Sequence, residues 1–208
     1  MKVFAYSIYH SANSYIGIVL LRRAKVATPA MEIVRRPIHV PKDRGVFIAE
    51  MLGGRENRNV GAYNREDCAR WANRHSIPLS YPAPEVFAER ARAWAQSELH
   101  REELPARAFF AADPARRDSL DEALFRAAWV EGLDVNAPDT VRWAAREAGL
   151  NGDSLLRAAR EERAGSEARA ALAAFDEAAC PGVPTFVVRG QRFFGKDRVD
   201  WARETCEA

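Results

Sequence analysis

The chain has 208 residues, 48% of them hydrophobic and 29% charged, with a net formal charge of +2. That length suits one large domain, or one domain carrying an insertion. The near-neutral balance gives no reason to invoke nucleic acid or a membrane as partner, and no apolar run approaches the roughly 20 residues a membrane helix needs. Cys68, Cys180 and Cys206 are widely spaced and odd in number, which fits a reducing compartment and argues against a disulfide framework. No two of the histidines and cysteines have ligand spacing, so no metal site is expected. The strand-like start after Met1-Lys2 lacks a long apolar stretch with a small-residue cleavage site. It reads as native structure, and a cytoplasmic location is expected.

Residues 3–9 run apolar, β-branched and aromatic and predict a buried strand. Ser11-Ala12-Asn13-Ser14 offers small polar caps for a helix, and residues 15–21 are apolar almost all round, so that helix should be buried. Residues 31–40 predict a second strand, with Pro37 near its end or on an edge. A strand, a helix and a strand in this space are the pattern of a parallel pair. Residues 43–62, rich in Gly, Asn and Arg, predict a loop.

From Tyr63 helical patterns dominate to about Ala179. Predicted helices cover 65–75 and 85–99. Another runs from Asp118-Ser119 through Glu131, and a fourth from Pro138 to Gly149. Asp153 opens the next, and Ser166 one running to Ala179 before Pro181 and Gly182. The chain then returns to β structure. Residues 185–188 form a strand, 189–192 a tight turn, and Phe193-Phe194 a short partner strand, with a final helix opened by Asp197. The order is βαβ, a helical block, then ββα. With the block removed this is the thioredoxin order. The expected fold is therefore α/β, a thioredoxin-like domain over 1–62 and 180–208 with an inserted all-helical domain over 63–179.

Three places carry the chemistry. Ser11-Ala12-Asn13-Ser14 lies at a strand-to-helix junction, where free N–H groups and the positive dipole end stabilise an anion such as a thiolate. Thioredoxin-like oxidoreductases place a Cys-x-x-C pair there. Both ends are serine in this chain, so no disulfide can cycle at that point, but a hydroxyl can donate to a sulfur brought by a ligand. The plainer alternative is that Ser11 or Ser14 only caps the helix. Gly182-Val183-Pro184-Thr185 opens a strand and is a candidate cis-proline site, whose Val183 backbone could pair with a peptide-like ligand. The alternative is a trans proline starting an edge strand. In Gly195-Lys196-Asp197-Arg198, Asp197 could accept from an ammonium group and the helix start could hold a carboxylate, or Asp197 could be a cap alone.

Taken together these motifs resemble the 2-hydroxychromene-2-carboxylate isomerase and kappa-class glutathione transferase family, relatives of DsbA. Ser11 to Ile16 is similar to that family's Ser-Pro-aromatic-Ser-Tyr-Leu motif. The segment from Phe125 to Gly132, the Gly-Val-Pro-Thr run at 182–185, and Phe193 to Arg198 resemble further family segments. The resemblance implies a glutathione-dependent isomerase or transferase. Ser11 would be the catalytic residue, and Ser14, Val183, Pro184, Lys196 and Asp197 would hold glutathione. The co-substrate would be an apolar or aromatic electrophile that isomerises through a glutathione adduct under a wall formed by the helical insert. The resemblance is compatible with a homodimer. Ala12 and Asn13 replace the family's Pro-aromatic pair, and Gly53 stands where relatives supply an Asn to glutathione. His10 is expected to point to the opposite face of a continuing strand, in a structural role. The rival class is a thioredoxin-like module that binds a peptide or small ligand without catalysis.

Overall fold

The computed structural model describes residues 1–42 and 55–207. Strand β1 (Lys2–Ser7) leads into helix α1 (Ala12–Ala27) and strand β2 (Glu32–Pro37), which pairs parallel to β1 in the register Lys2 with Glu32. Near the C-terminus, β3 (Thr185–Val188) runs antiparallel to β1, with Ala5 opposite Phe186, and β4 (Gln191–Phe194) runs antiparallel to β3. The sheet order is β2-β1-β3-β4. Strand β1 is paired on both sides, and its Val3 and Ala5 are fully buried. Pro37 ends the edge strand β2, where a missing N–H is tolerated. Arg189 and Gly190, with φ of 49° and 76°, make the two-residue turn between β3 and β4. Positive φ at both positions matches the right-handed twist of the two strands.

Between β2 and β3 stand seven α-helices among the described residues. These are α2 (Arg55–Arg74), α3 (Pro84–Gln96), α4 (Glu103–Ala111), α5 (Arg117–Trp129), α6 (Pro138–Glu147), α7 (Gly152–Arg160) and α8 (Glu162–Glu177). A 3-10 turn (Lys196–Arg198) and α9 (Val199–Glu207) close the chain. Several expectations are corrected. Residues 55–62 belong to α2 and not to a loop, while 43–54 lie outside the described residues. Helix α2 buries little beyond Cys68 and Ala72, so it shows almost no apolar stripe, and a methyl on its Gly61 would meet only open space. Helix α4 was not anticipated, because Pro105 reads as a breaker. It sits in the first turn, where its missing N–H has no intrahelical partner to lose. Helix α8 starts at Glu162, before Ser166, and the cap of α7 is Asn151, which accepts from the Ser154 N–H at 2.9 Å.

Sheet and helices share one buried cluster. It runs from Val3 and Ile16 through Leu120 and Phe125 to Val141 and Leu156. A charged knot lies inside it. The Arg35 guanidinium, on β2, donates in fork fashion to Asp121 of α5 from Nε at 2.9 Å and Nη2 at 3.0 Å. It also donates to the Ala5 carbonyl at 2.8 Å and the Ser7 hydroxyl at 2.8 Å. Tyr9 and Arg22 donate to the same carboxylate. Asp121 is wholly buried, which would raise its carboxyl, yet Arg35 and Arg22 hold it below the usual 3.8. All its acceptor positions are used, which is the condition for a buried ion pair to be tolerated.

Asp121→Ala should therefore destabilise the fold by about 3–5 kcal/mol, since it strands the Arg35 charge. The pH dependence has a definite sign. A depressed folded-state value means the Asp121 contribution is full above about pH 4 and is lost as the pH falls through that value. Urea denaturation as a function of pH checks both points: Asp121→Asn should be less stable at neutral pH, with a shallower loss on acidification.

Candidate active site

Ser11 is the N-cap of α1, in extended backbone geometry, and its Oγ accepts from the Ser14 N–H at 3.1 Å. The cap reading is therefore correct for Ser11, and it leaves the hydroxyl proton unused by that bond. The N–H groups of Ala12 and Asn13 precede the intrahelical ladder. No acidic residue occupies the first turn of α1, so no side chain of that turn neutralises the positive end of the helix.

The Val183–Pro184 peptide bond is cis. The ladder between β3 and β1 begins at Thr185, so Val183 lies just outside it. Gly17 brings this loop against α1. A methyl built there would stand 3.0 Å from Pro184 Cγ, 3.2 Å from the Phe186 ring and 3.4 Å from Lys196 Cα. Only glycine lets the proline loop and the 3-10 turn approach this helix so closely.

An apolar cleft of about 740 Å³ opens beside these elements. Ser11, Gly182, Val183 and Phe194 line one side; Tyr81, Phe87, Trp94 and Trp129 from the helical block line the other. Of the residues assigned to catalysis or glutathione binding, Ser11 and Val183 meet at this cleft, and Ser14, Pro184, Lys196 and Asp197 do not line it. Ser14 is fully buried against the core, so its hydroxyl is not offered to a ligand. Lys196 is 6% exposed, and its ammonium donates to Asn13 Oδ1 at 2.8 Å and Asp67 at 2.5 Å. Asp197 is exposed on the 3-10 turn, 2.8 Å from the Arg198 guanidinium. Gly53 lies outside the described residues. Asn13 is a joint between elements: its Nδ2 donates to Asn64 at 2.6 Å, and its Oδ1 also accepts from the Cys68 thiol at 3.3 Å. Neither Tyr63 nor Trp71 lines the cleft; Tyr63 is exposed, and Trp71 stacks on His75.

The expectation for His10 is corrected in part. Strand β1 ends at Ser7, so strand alternation no longer sets its direction, and His10 lines the cleft. Glu102 holds it. One carboxylate oxygen accepts from the His10 N–H at 3.0 Å and lies 2.6 Å from Nδ1; the other accepts from the Tyr9 N–H at 2.8 Å. Glu102 is wholly buried, which would raise its carboxyl, but His10, Arg101 and the Tyr9 N–H hold it below the usual carboxylate range. A lowered carboxyl is ionised and can only accept, so Nδ1 carries the proton toward it. On the other side, Nε2 stands 3.4 Å from Asp134. Glu102 and its neighbour Arg101 were not foreseen. They lie in a charge-dense run that ordinarily marks a solvated surface, and no local pattern distinguishes it.

A capping serine in place of a redox cysteine, beside a cis proline and under a helical wall, defines a thioredoxin-fold protein adapted away from the Cys-x-x-C site. Residues 2–206 match the model of the DSBA-like thioredoxin domain, and the chain belongs to that family. It is 26% identical over 176 residues to a 2-hydroxychromene-2-carboxylate isomerase of Sphingobium xenophagum, covering 80% of this chain and 78% of that one. A solved 2-hydroxychromene-2-carboxylate isomerase superposes with a TM-score of 0.74 at 22% identity, covering 100% of this chain and 95% of the other. The cytosolic disulfide reductase DsbM of Pseudomonas aeruginosa, solved with GSH, superposes with a TM-score of 0.62 at 13% identity, covering 100% of this chain and 98% of the other. No helix among the described residues is long and apolar enough to cross a membrane.

Glu102→Ala would leave the N–H groups of Tyr9 and His10 and the His10 ring without their acceptor. We expect a loss of about 3–5 kcal/mol by chemical denaturation, the usual cost of breaking a buried charged network. A loss below about 1 kcal/mol would show that the junction before Ser11 holds without it.

Proposed function

We propose that this chain is a glutathione-dependent isomerase of an apolar or aromatic electrophile, with glutathione transfer as the variant outcome of the same chemistry. The observation that carries the reading is Ser11. It caps α1 at the edge of the apolar cleft, its Oγ is held by the Ser14 N–H, and its proton is left to donate. The relationship to a protein named as a 2-hydroxychromene-2-carboxylate isomerase supports the isomerase class. That a reductase of the same fold has been solved with GSH supports glutathione as the thiol.

The residues present fit that thiol at two points. The Val183 backbone, outside the β3 ladder, suits an extended peptide laid alongside it. Ser11 and the first turn of α1 suit a sulfur anion, because a hydroxyl donor and the helix dipole both favour the charged form. Bound there, glutathione supplies a nucleophilic sulfur for reversible addition to an electron-poor double bond. The protein positions that bond against Trp94 and Trp129 and keeps water from it. Asp197 and the Lys196 backbone would meet the γ-glutamyl end from the 3-10 turn.

The cysteines favour this reading over disulfide exchange. Burial pushes the thiols of Cys68, Cys180 and Cys206 upward, away from the thiolate form that exchange requires. None of them lines the cleft.

Two substitutions test the assignment. Ser11→Ala should raise the pKa of bound glutathione by about 1–2 units, the worth of a hydrogen bond to a charged acceptor, while leaving most of the binding affinity. Turnover should fall, and the defect should shrink as pH rises, because the thiolate then forms unaided. Thiolate absorbance followed against pH reads this directly. Identical titrations of the two proteins would leave Ser11 a helix cap only, and the same result with no turnover of any electrophile would favour a non-catalytic binding module. Asp197→Ala should weaken glutathione by less than about 1 kcal/mol, since an exposed charge already facing Arg198 contributes little. A calorimetric loss above about 2 kcal/mol would place the γ-glutamyl ammonium in a drier contact than the free protein suggests.

A further inference from the structure

A second cavity, of about 210 Å³, adjoins the cleft. Trp94 and Arg101 line both spaces and form the partition between them. The volume equals the share of about seven waters at about 30 Å³ each. It exceeds what one bound water needs and falls short of the roughly 300 Å³ at which pockets for drug-sized ligands begin. A ligand of a few heavy atoms fits it.

Both signs of charge meet in this cavity, at Arg101 and Asp134, whereas no aspartate or glutamate is among the described residues lining the cleft. Arg101 is 8% exposed, its guanidinium carbon lies 4.4 Å from the centre of the Trp94 ring, and its Nε and Nη2 have no hydrogen-bond partner. Its neighbour Glu102 uses both oxygens on Tyr9 and His10. A guanidinium taken out of water without an acceptor is among the most costly groups a fold can bury, and a carboxylate is the group that matches its planar fork of donors. Asp134 is near enough for its charge to act on Arg101. Its Oδ1 accepts from the Asn136 N–H at 3.0 Å and the Asn136 amide at 3.1 Å, with His10 Nε2 at 3.4 Å. Its Oδ2 accepts from the Trp94 indole at 3.2 Å. A carboxylate has about four acceptor positions, so one on Oδ2 is left for a further donor. The rest of the lining includes the apolar side chains of Ala93, Leu99 and Leu104.

We propose that this second cavity binds a small zwitterionic α-amino acid, with Arg101 meeting its carboxylate, Asp134 its ammonium, and Leu99 and Leu104 its short side chain. A simple carboxylate would satisfy Arg101 and leave Asp134 unused, and a simple amine would do the reverse. A molecule carrying both charges around one carbon answers both groups within a space of this size. The inference does not rest on the glutathione reading, which uses no group of this cavity other than Trp94 in the shared wall.

The test is equilibrium dialysis of labelled L-alanine against the full chain, with acetate and ethylammonium as competitors that each carry one of the two charges. The wild type should take up one alanine per chain, and each competitor should bind at least about tenfold more weakly, the worth of one charge-assisted hydrogen bond. Arg101→Gln and Asp134→Asn should each weaken alanine by about tenfold or more. If either fails to fold, Ala93→Phe decides: Ala93 is exposed on α3 and lines this cavity but not the cleft, so the larger side chain should block uptake and leave the fold intact. Absence of uptake by the wild type would overturn the assignment and leave a cavity filled by water. Acetate binding as tightly as alanine would also overturn it, in favour of a simple anion site. So would undiminished uptake by Ala93→Phe, because alanine would then sit elsewhere. Displacement of alanine by glutathione would overturn it too, since the cavity would then serve the amino-acid end of that tripeptide. Alanine uptake by a protein that binds no glutathione would uphold the cavity and sink the glutathione reading.

Discussion

The carboxylate of Glu102 is the constraint on which the site depends. It is buried without exposure, and its residue adopts a left-handed backbone (φ 68°, ψ 1°) that costs a non-glycine residue about 1–2 kcal/mol. Its own N–H is held by Asn136 at 2.7 Å, and its oxygens close on the chain immediately before Ser11. In a small thioredoxin-like domain the strand-to-helix junction would be positioned by the sheet alone. In this chain an acid from the helical block completes it, so the orientation of the α1 N-terminus and the position of the cleft wall are set by the same residue.

Asp121 does at the rear of the sheet what Glu102 does at the front. It gathers Arg35 from β2, Tyr9 after β1 and Arg22 from α1 onto one side chain of α5. Each acid is fully committed and each lies below the usual carboxylate range despite burial. The two therefore work as positional locks and are not available as proton carriers at neutral pH. What remains at the cleft is the Ser11 hydroxyl at the start of α1 and an apolar wall.

Replacing a redox cysteine by serine changes the economy of such a site. A cysteine in that place is itself the nucleophile, whereas a serine can only stabilise a sulfur that arrives with a ligand. The proline loop and the 3-10 turn are pressed onto α1 through Gly17, and the Lys196 side chain, drawn inward to Asn13 and Asp67, fastens that turn to α1 and α2.

Much of this was written in local patterns. The apolar β-branched run before Ser11, the all-round apolar start of α1, the hairpin after Thr185 and the order βαβ, helices, ββα are properties of neighbouring residues, and periods of 2.0 and 3.6 expose them directly, although Gln191 and Arg192, read as turn, belong to β4. So are the cap at Ser11 and the Gly-Val-Pro-Thr run, because a cap and a proline act on the backbone within a few residues of themselves. The polar first part of α2 and the proline-bearing helix α4 escaped, since one lacks an apolar stripe and the other carries its proline where the ladder does not need an N–H. The partners of the buried charges lay furthest from reach. Asp121, Glu102 and Arg101 belong to ordinary charged stretches. Whether such a side chain meets water, a guanidinium or an empty apolar face is decided only when elements distant in sequence close over it, because the desolvation that gives a buried charge its meaning exists only in the folded chain.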